Sequence, residues 1–164
     1  MVSKTLYLLR HAKSSWKDPL LADALRPLNK RGRKNAPLMG WRLAALGVKP
    51  QRIIASPALR AVTTARVVGS ILGIESDTIE VDEALYCYST QGLRDVVERL
   101  DDKWYCVLLV GHNPAITGLV NALVAADIEN VPTCGIVGLE FTAQTWAGIN
   151  EGRGRLTLFE YPKK

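Results

Sequence analysis

The chain is poor in the residues that mark several common classes of protein. Its three cysteines, Cys87, Cys106 and Cys134, are odd in number, widely spaced and form no CxxC pair. That argues against a disulfide framework and against a zinc site, and a reducing, cytoplasmic setting is the expectation. No run approaches the roughly 20 apolar residues of a membrane span, and Met1-Val2-Ser3-Lys4 leads into strand-like sequence rather than a signal peptide, so no membrane association is expected. Neither a P-loop pattern nor an HxxE-type metal helix is present, so neither a metal nor a cofactor is expected. Repeats, low-complexity tracts and linkers are lacking too. At 48% hydrophobic, 164 residues can bury one good core, and residues 1–164 are expected to form a single domain.

Charge of one sign is in excess. The formal net charge is +5 and the pI is near 9.2, with basic residues clustered at Arg26, Lys30, Arg31, Arg33 and Lys34. Aromatic residues make up only 7% and are not interleaved with that cluster, as a stacking platform for nucleic acid would need. No nucleic-acid partner is expected. The cluster is read as a solvated helix face, with steering of a phosphorylated partner as the functional alternative.

Strand-like and helix-like segments alternate, the signature of a mostly parallel sheet with crossover helices. Strands are expected at Thr5–Leu9, Arg52–Ala55, near Thr78–Val81 and at Cys106–Val110. The first and last of these are continuously apolar and therefore central. A helix is expected from about Asn29 to Leu46, where Pro37 implies either a kink or a restart from Asn35 as N-cap. Ser56-Pro57 and Asn113-Pro114 each read as an N-cap followed by proline at the first helical position. Gly73 closes the helix that follows Ser56, and Ser89 or Thr90 opens one carrying Leu93, Val96, Val97 and Leu100. Two C-terminal candidates, Gly135–Thr142 and Arg155–Tyr161, are close enough to pair as a hairpin, so at least one C-terminal strand is expected to run antiparallel.

Parallel strands end on one side, and these end in polar residues. The first delivers Arg10 and His11, the second Ser56 and, one helical turn on, Arg60, the third Asp82 and Glu83, the fourth His112. Open α/β sheets bind ligands at that carboxyl edge. Taken singly, each has a structural reading: Arg10 as a salt-bridging edge residue, Asp82 and Glu83 as loop acids. Together, two guanidiniums offer forked donors for phosphate oxygens, and each charge-assisted bond contributes about 1.5–3 kcal/mol net. The only two histidines of the chain follow its two most apolar strands. A neutral imidazole can attack phosphorus near pH 7, because its unperturbed pKa is about 6.5.

These residues resemble a known family. Leu9-Arg10-His11-Ala12, the Ser56–Ala65 block and Val110-Gly111-His112-Asn113-Pro114 are similar, in order, to the signature blocks of the histidine phosphatase (phosphoglycerate mutase-like) superfamily. Asp23, Arg26-Pro27-Leu28 and Gly32 resemble the D…RPL…G stretch of its SixA-like branch of phosphohistidine phosphatases. The resemblance implies an α/β phosphoglycerate mutase-like fold, a mostly parallel central sheet with helices on both faces. It implies a metal-independent phosphatase in which His11 is phosphorylated while Arg10, Arg60 and His112 bind the phosphoryl group. Ala12 stands where the signature has glycine, and Lys17 where larger members carry asparagine; Lys13, Ser14 and Lys17 are candidate phosphate helpers. His112 is expected to work protonated. Glu83 is the match to the family's leaving-group acid. The segment between Gly73 and Thr90 is too short for the lid of larger relatives, which suits a protein-borne phosphohistidine as partner. A small-molecule phosphomonoesterase using Glu83 as general acid is the alternative, and a phosphate-binding regulatory module without turnover comes after it.

Overall fold

A computed structural model describes residues 3–149 and 152–164. The strands are β1 (Ser3–Arg10), β2 (Arg52–Ala55), β3 (Glu80–Val81), β4 (Cys106–Gly111), β5 (Ile136–Thr142) and β6 (Arg155–Glu160); the helices are α1 (Lys30–Ala45), α2 (Leu59–Ile71), α3 (Thr90–Glu98) and α4 (Ala115–Val124). They form one six-stranded sheet in the order β3-β2-β4-β1-β5-β6. β1 pairs in parallel with β4, as β2 does with both β4 and β3, while β5 runs antiparallel to β1 and β6 antiparallel to β5.

The two-residue period of a strand divides the core between two faces. Leu6 and Leu8 of β1, with Val107 and Leu109 of β4, pack with Val96, Val97, Ile116 and Leu119 of α3 and α4. Leu9, Leu108 and Val110 face the other way, among Met39 and Leu43 of α1 and Ala61, Ala65 and Val68 of α2. Helices therefore cover both faces, as expected. Among the described residues no helix is long and apolar enough to cross a membrane.

Local chemistry corrects several expected boundaries. α1 runs unbroken through Pro37 from Asn29, whose side chain accepts from the Gly32 amide, so there is no restart at Asn35. α2 begins at Leu59 rather than after Ser56. Ser56 Oγ is turned to the Ala58 amide and to His112 instead of capping the helix. At the next proline, Asn113 does reach forward to accept from the Thr117 amide, although Pro114 holds the cap position itself. The expected third strand shrinks to Glu80–Val81, since Ser76–Thr78 winds into a 3₁₀ turn. Gly73 at φ +83° ends α2, and Ser89 rather than Thr90 caps α3.

Candidate active site

The sheet order places β1 and β4 side by side, with Arg10 in register with Gly111. His11 and His112 follow directly and meet with ring centroids 5.2 Å apart. Arg60, on the first turn of α2, reaches the same place from β2: its Nη2 lies 3.5 Å from His112 Nδ1. The result is a pocket of about 480 Å³ lined by Arg10, His11, Ser14, Arg60 and His112, with Asp23 and Tyr88 at its wall. Five expected residues thus come together. Two do not. Asp82 caps a 3₁₀ turn, Glu83–Leu85, through the Ala84 amide, and this turn leaves Glu83 exposed and outside the pocket. Lys17 is displaced by the alternating direction of the loop after His11. Lys13, Ser14 and Trp16 line the pocket, whereas Ser15 and Lys17 line a neighbouring cleft.

Hydrogen bonds define the imidazoles. His11 Nδ1 lies 2.8 Å from the Ala12 carbonyl, which can only accept, so Nδ1 carries the proton and Nε2 keeps its lone pair. On His112 the donor-only Arg60 faces Nδ1, which leaves Nε2–H to donate to Ser56 Oγ at 2.8 Å. Ser56 is fully buried. Buried Thr64 joins the two sides: its hydroxyl donates to the Arg60 carbonyl at 2.7 Å and accepts from the Ala12 amide at 2.9 Å.

Burial, the facing guanidiniums and, for His112, the other imidazole all oppose protonation. His11 is lowered to about 4 and His112 to about 3, with desolvation the largest cause for both. Both rings are therefore neutral at pH 7 in the free protein. For His11 this is the expected state. For His112 the expected cation belongs to the phosphoryl-bound state; in the free protein a cation there would sit buried against Arg60.

Three side chains in this network were not among the expected site residues. Asp23 accepts from Arg60 Nη2 at 2.9 Å through its carboxylate, and its carbonyl accepts from Nη1 at 2.7 Å. The Tyr86 hydroxyl donates to the same carboxylate oxygen. Tyr86 also stacks on His112 with centroids 5.2 Å apart, and the Tyr88 hydroxyl lies 3.3 Å from Arg60 Nη2. The Tyr86 hydroxyl bond and Arg60 hold the Asp23 carboxyl below its usual range, and burial beside Asp23 pushes Tyr86 up to about 12. Asp23 stood within the D…RPL…G stretch, and Tyr86 follows Asp82 and Glu83 closely; what sequence lacked was any sign that these loops meet at Arg60.

Comparison with known proteins agrees with this geometry. Residues 6–86 match the profile of the histidine phosphatase superfamily (branch 1). An uncharacterised protein of Mycobacterium tuberculosis is 32% identical, the match covering 94% of this chain and 100% of that protein. The crystal structure of a candidate phosphohistidine phosphatase SixA from Agrobacterium tumefaciens superposes with a TM-score of 0.78 at 26% identity, covering 97% of this chain and 98% of that one. The fold is also that of a protein histidine phosphatase SixA complexed with tungstate, at a TM-score of 0.80, 24% identity and 97% coverage of each chain. The chain belongs to the histidine phosphatase superfamily, in its SixA-like branch, and is a phosphatase.

Proposed function

We propose that this phosphatase acts through a phosphohistidine on His11, without a metal ion, and that its substrate is a phosphohistidine carried by a protein. His11 Nε2 attacks phosphorus, and the bond to the leaving group breaks with its electron pair going to that group. Water then attacks the phosphorus on His11, giving inorganic phosphate and restoring the neutral ring. Arg10 and Arg60 hold the non-bridging oxygens, joined by His112 once the incoming anion draws a proton onto its Nδ1; charge stabilisation there matters most in phosphoryl transfer. The Arg10 guanidinium is anchored by Nη1 to the Val131 carbonyl at 2.9 Å, while its buried Nε has no hydrogen-bond partner among the described residues, a donor that a phosphoryl oxygen suits.

The observation that carries the proposal is the fixed tautomer of His11, its Nε2 lone pair free in a pocket whose walls supply two guanidiniums. The choice of substrate rests on the pocket's acid chemistry. Among the described residues lining it, the one carboxyl group is Asp23, held ionised, and Glu83 lies outside. An alkoxide leaving group needs a proton donor badly; a leaving imidazole needs one less. The pocket thus favours cleavage of P–N over P–O bonds. The A. tumefaciens relative, described as a candidate phosphohistidine phosphatase, is consistent with this reading.

The test is a rapid quench after mixing with a radiolabelled phosphohistidine peptide. An acid-labile, alkali-stable label on the protein is expected, and it should be absent from His11→Ala. Full activity in His11→Ala, or a label that survives acid, overturns the mechanism. Faster hydrolysis of an alkyl phosphate than of the phosphohistidine peptide overturns the substrate assignment.

A further inference from the structure

Beside the pocket lies a larger cleft, of about 690 Å³, whose charged lining is wholly cationic: Lys17, Lys30, Arg31, Arg33 and Lys34. These five equal the entire net excess of the chain, so the remaining sequence carries as many acidic as basic residues. Among the described residues none of the five is ion-paired with a carboxylate. Four of them sit at the start of α1, which has no acidic residue in its first turn. Cations there oppose the positive end of the helix dipole. The free protein therefore bears a concentration of like charge in a concavity, against local electrostatic preference. Their reading as a solvated helix face is incomplete, because they wall a cleft; Arg26, from the same cluster, is instead buried beneath the Trp16 ring at 3.8 Å.

The cleft is bound to the catalytic loop as one rigid piece. The Asn29 amide donates to the Lys13 carbonyl at 2.9 Å, and the Ser15 amide to the Pro27 carbonyl at 2.7 Å. Gly32 approaches so closely that a Cβ there would lie 2.2 Å from the Lys13 carbonyl oxygen, so only glycine fits. Residues 13–17 form the shared wall, Lys13, Ser14 and Trp16 lining the pocket and Ser15 and Lys17 the cleft. Whatever holds the cleft is thereby positioned relative to His11.

We propose that this cleft docks an acidic segment of the phosphorylated protein substrate, adjacent to the phosphoryl group being removed. Charge complementarity selects the acidic chemistry. The segment that joins β1 to α1 selects a protein: between the residues that line the pocket and those that line the cleft, its Trp16, Leu20 and Leu25 stand 68%, 93% and 58% exposed, apolar surface that a partner protein covers and a small anion does not. The proposal rests on the reading of the neighbouring pocket as the phosphoryl-transfer site, and deepens it to a substrate preference.

Two fluorescent peptides of equal length, one with four glutamates around a central histidine and one with four glutamines, measure docking apart from catalysis. At low salt the glutamate peptide is expected to bind about tenfold more tightly, the cumulative effect of several exposed ion pairs, and to lose that margin as salt rises. The triple variant Lys30→Gln/Arg33→Gln/Lys34→Gln should bind both peptides alike, with turnover of para-nitrophenyl phosphate unchanged as proof of an intact fold. Phosphorylated on histidine, the same peptides should show the difference in KM. Equal binding of the two peptides by the wild type overturns the proposal, as does a glutamate preference that survives in the triple variant. Tight binding of tripolyphosphate with indifference to the glutamate peptide overturns it in favour of a small polyanion. Loss of the phosphoenzyme in the quench experiment would strike the catalytic reading alone and leave the peptide-binding result standing.

Discussion

The carboxylate of Asp23 holds the guanidinium of Arg60 at 2.9 Å, although Arg60 is buried and the Asp23 side chain is 44% exposed. The acid thus occupies, from the solvent side, a cation proposed to receive the substrate's phosphoryl oxygens.

Replacing Asp23 by Asn removes one negative charge from a pocket that must admit another. Tungstate affinity is expected to rise roughly fivefold, from the lost Coulombic repulsion. Arg60 keeps its bond to the main-chain carbonyl of residue 23 but loses its ionic partner, so kcat is expected to fall about tenfold through mispositioning. Calorimetric titration and steady-state kinetics on the same preparation check both. A fall in affinity together with kcat would contradict competition between the carboxylate and the anion.

Ser56→Ala removes the partner that orients His112. With Nε2–H left unpaired in a buried site, stability should drop by about 1–2 kcal/mol. The imidazole would be free to rotate, and kcat should fall about tenfold while KM changes little. Urea denaturation and nitrogen-15 spectra of the His112 ring, which distinguish its tautomers, are the relevant measurements.

The depressed histidines predict acid sensitivity with a definite sign. An unfolded histidine titrates near about 6.5, whereas His11 and His112 titrate at about 4 and about 3 in the folded protein. Across that interval the unfolded chain binds more protons, so stability is complete above pH ~6.5 and is lost as pH falls through the window. The urea midpoint should decline from pH 7 to pH 4, and more gently in His112→Gln. A dianion in the pocket reverses the preference for neutral rings. Tungstate binding should accordingly take up protons, measured as a dependence of the heat on buffer ionisation enthalpy.

Glu83→Gln should alter kcat/KM by less than about twofold, for phosphohistidine and alkyl phosphate alike, as befits an exposed residue outside the pocket. A large loss confined to the alkyl phosphate would restore Glu83 as a leaving-group acid.

The legibility of the chain followed its periodicities. Leu6–Leu9 and Val107–Val110 announce buried strands, and because parallel strands end together, Arg10, His11 and His112 were placed from sequence. Arg60 followed from the turn after β2. Asp23, Tyr86 and Tyr88 did not, because they sit on loops whose path depends on tertiary contacts with Arg60 rather than on local pattern. Ser56 carried a sound helix-cap signal that lost to a stronger competitor, the buried His112 ring. Lys4 shows the same limit away from the site. Nothing in its neighbours hints at burial, yet its ammonium donates to the Asp102 and Trp104 carbonyls, both at 2.9 Å, and lies 5.0 Å from the Trp146 ring.

The position of β1 has a consequence for how the molecule is made. β1 does not pair with β2, the strand that follows it in the chain: Thr5 lies in register with Cys106 on one side and Glu140 on the other. At roughly 5–20 residues per second, an apolar strand waits about 5–20 s for its first partner. Contacts so distant along the chain also slow folding through loop-closure entropy. A nascent chain ending at Tyr86 already contains His11 and Arg60 but leaves β1 without either neighbour. Such a fragment would expose β1 to other chains, and the pocket can assemble only when synthesis has passed β4 and delivered His112.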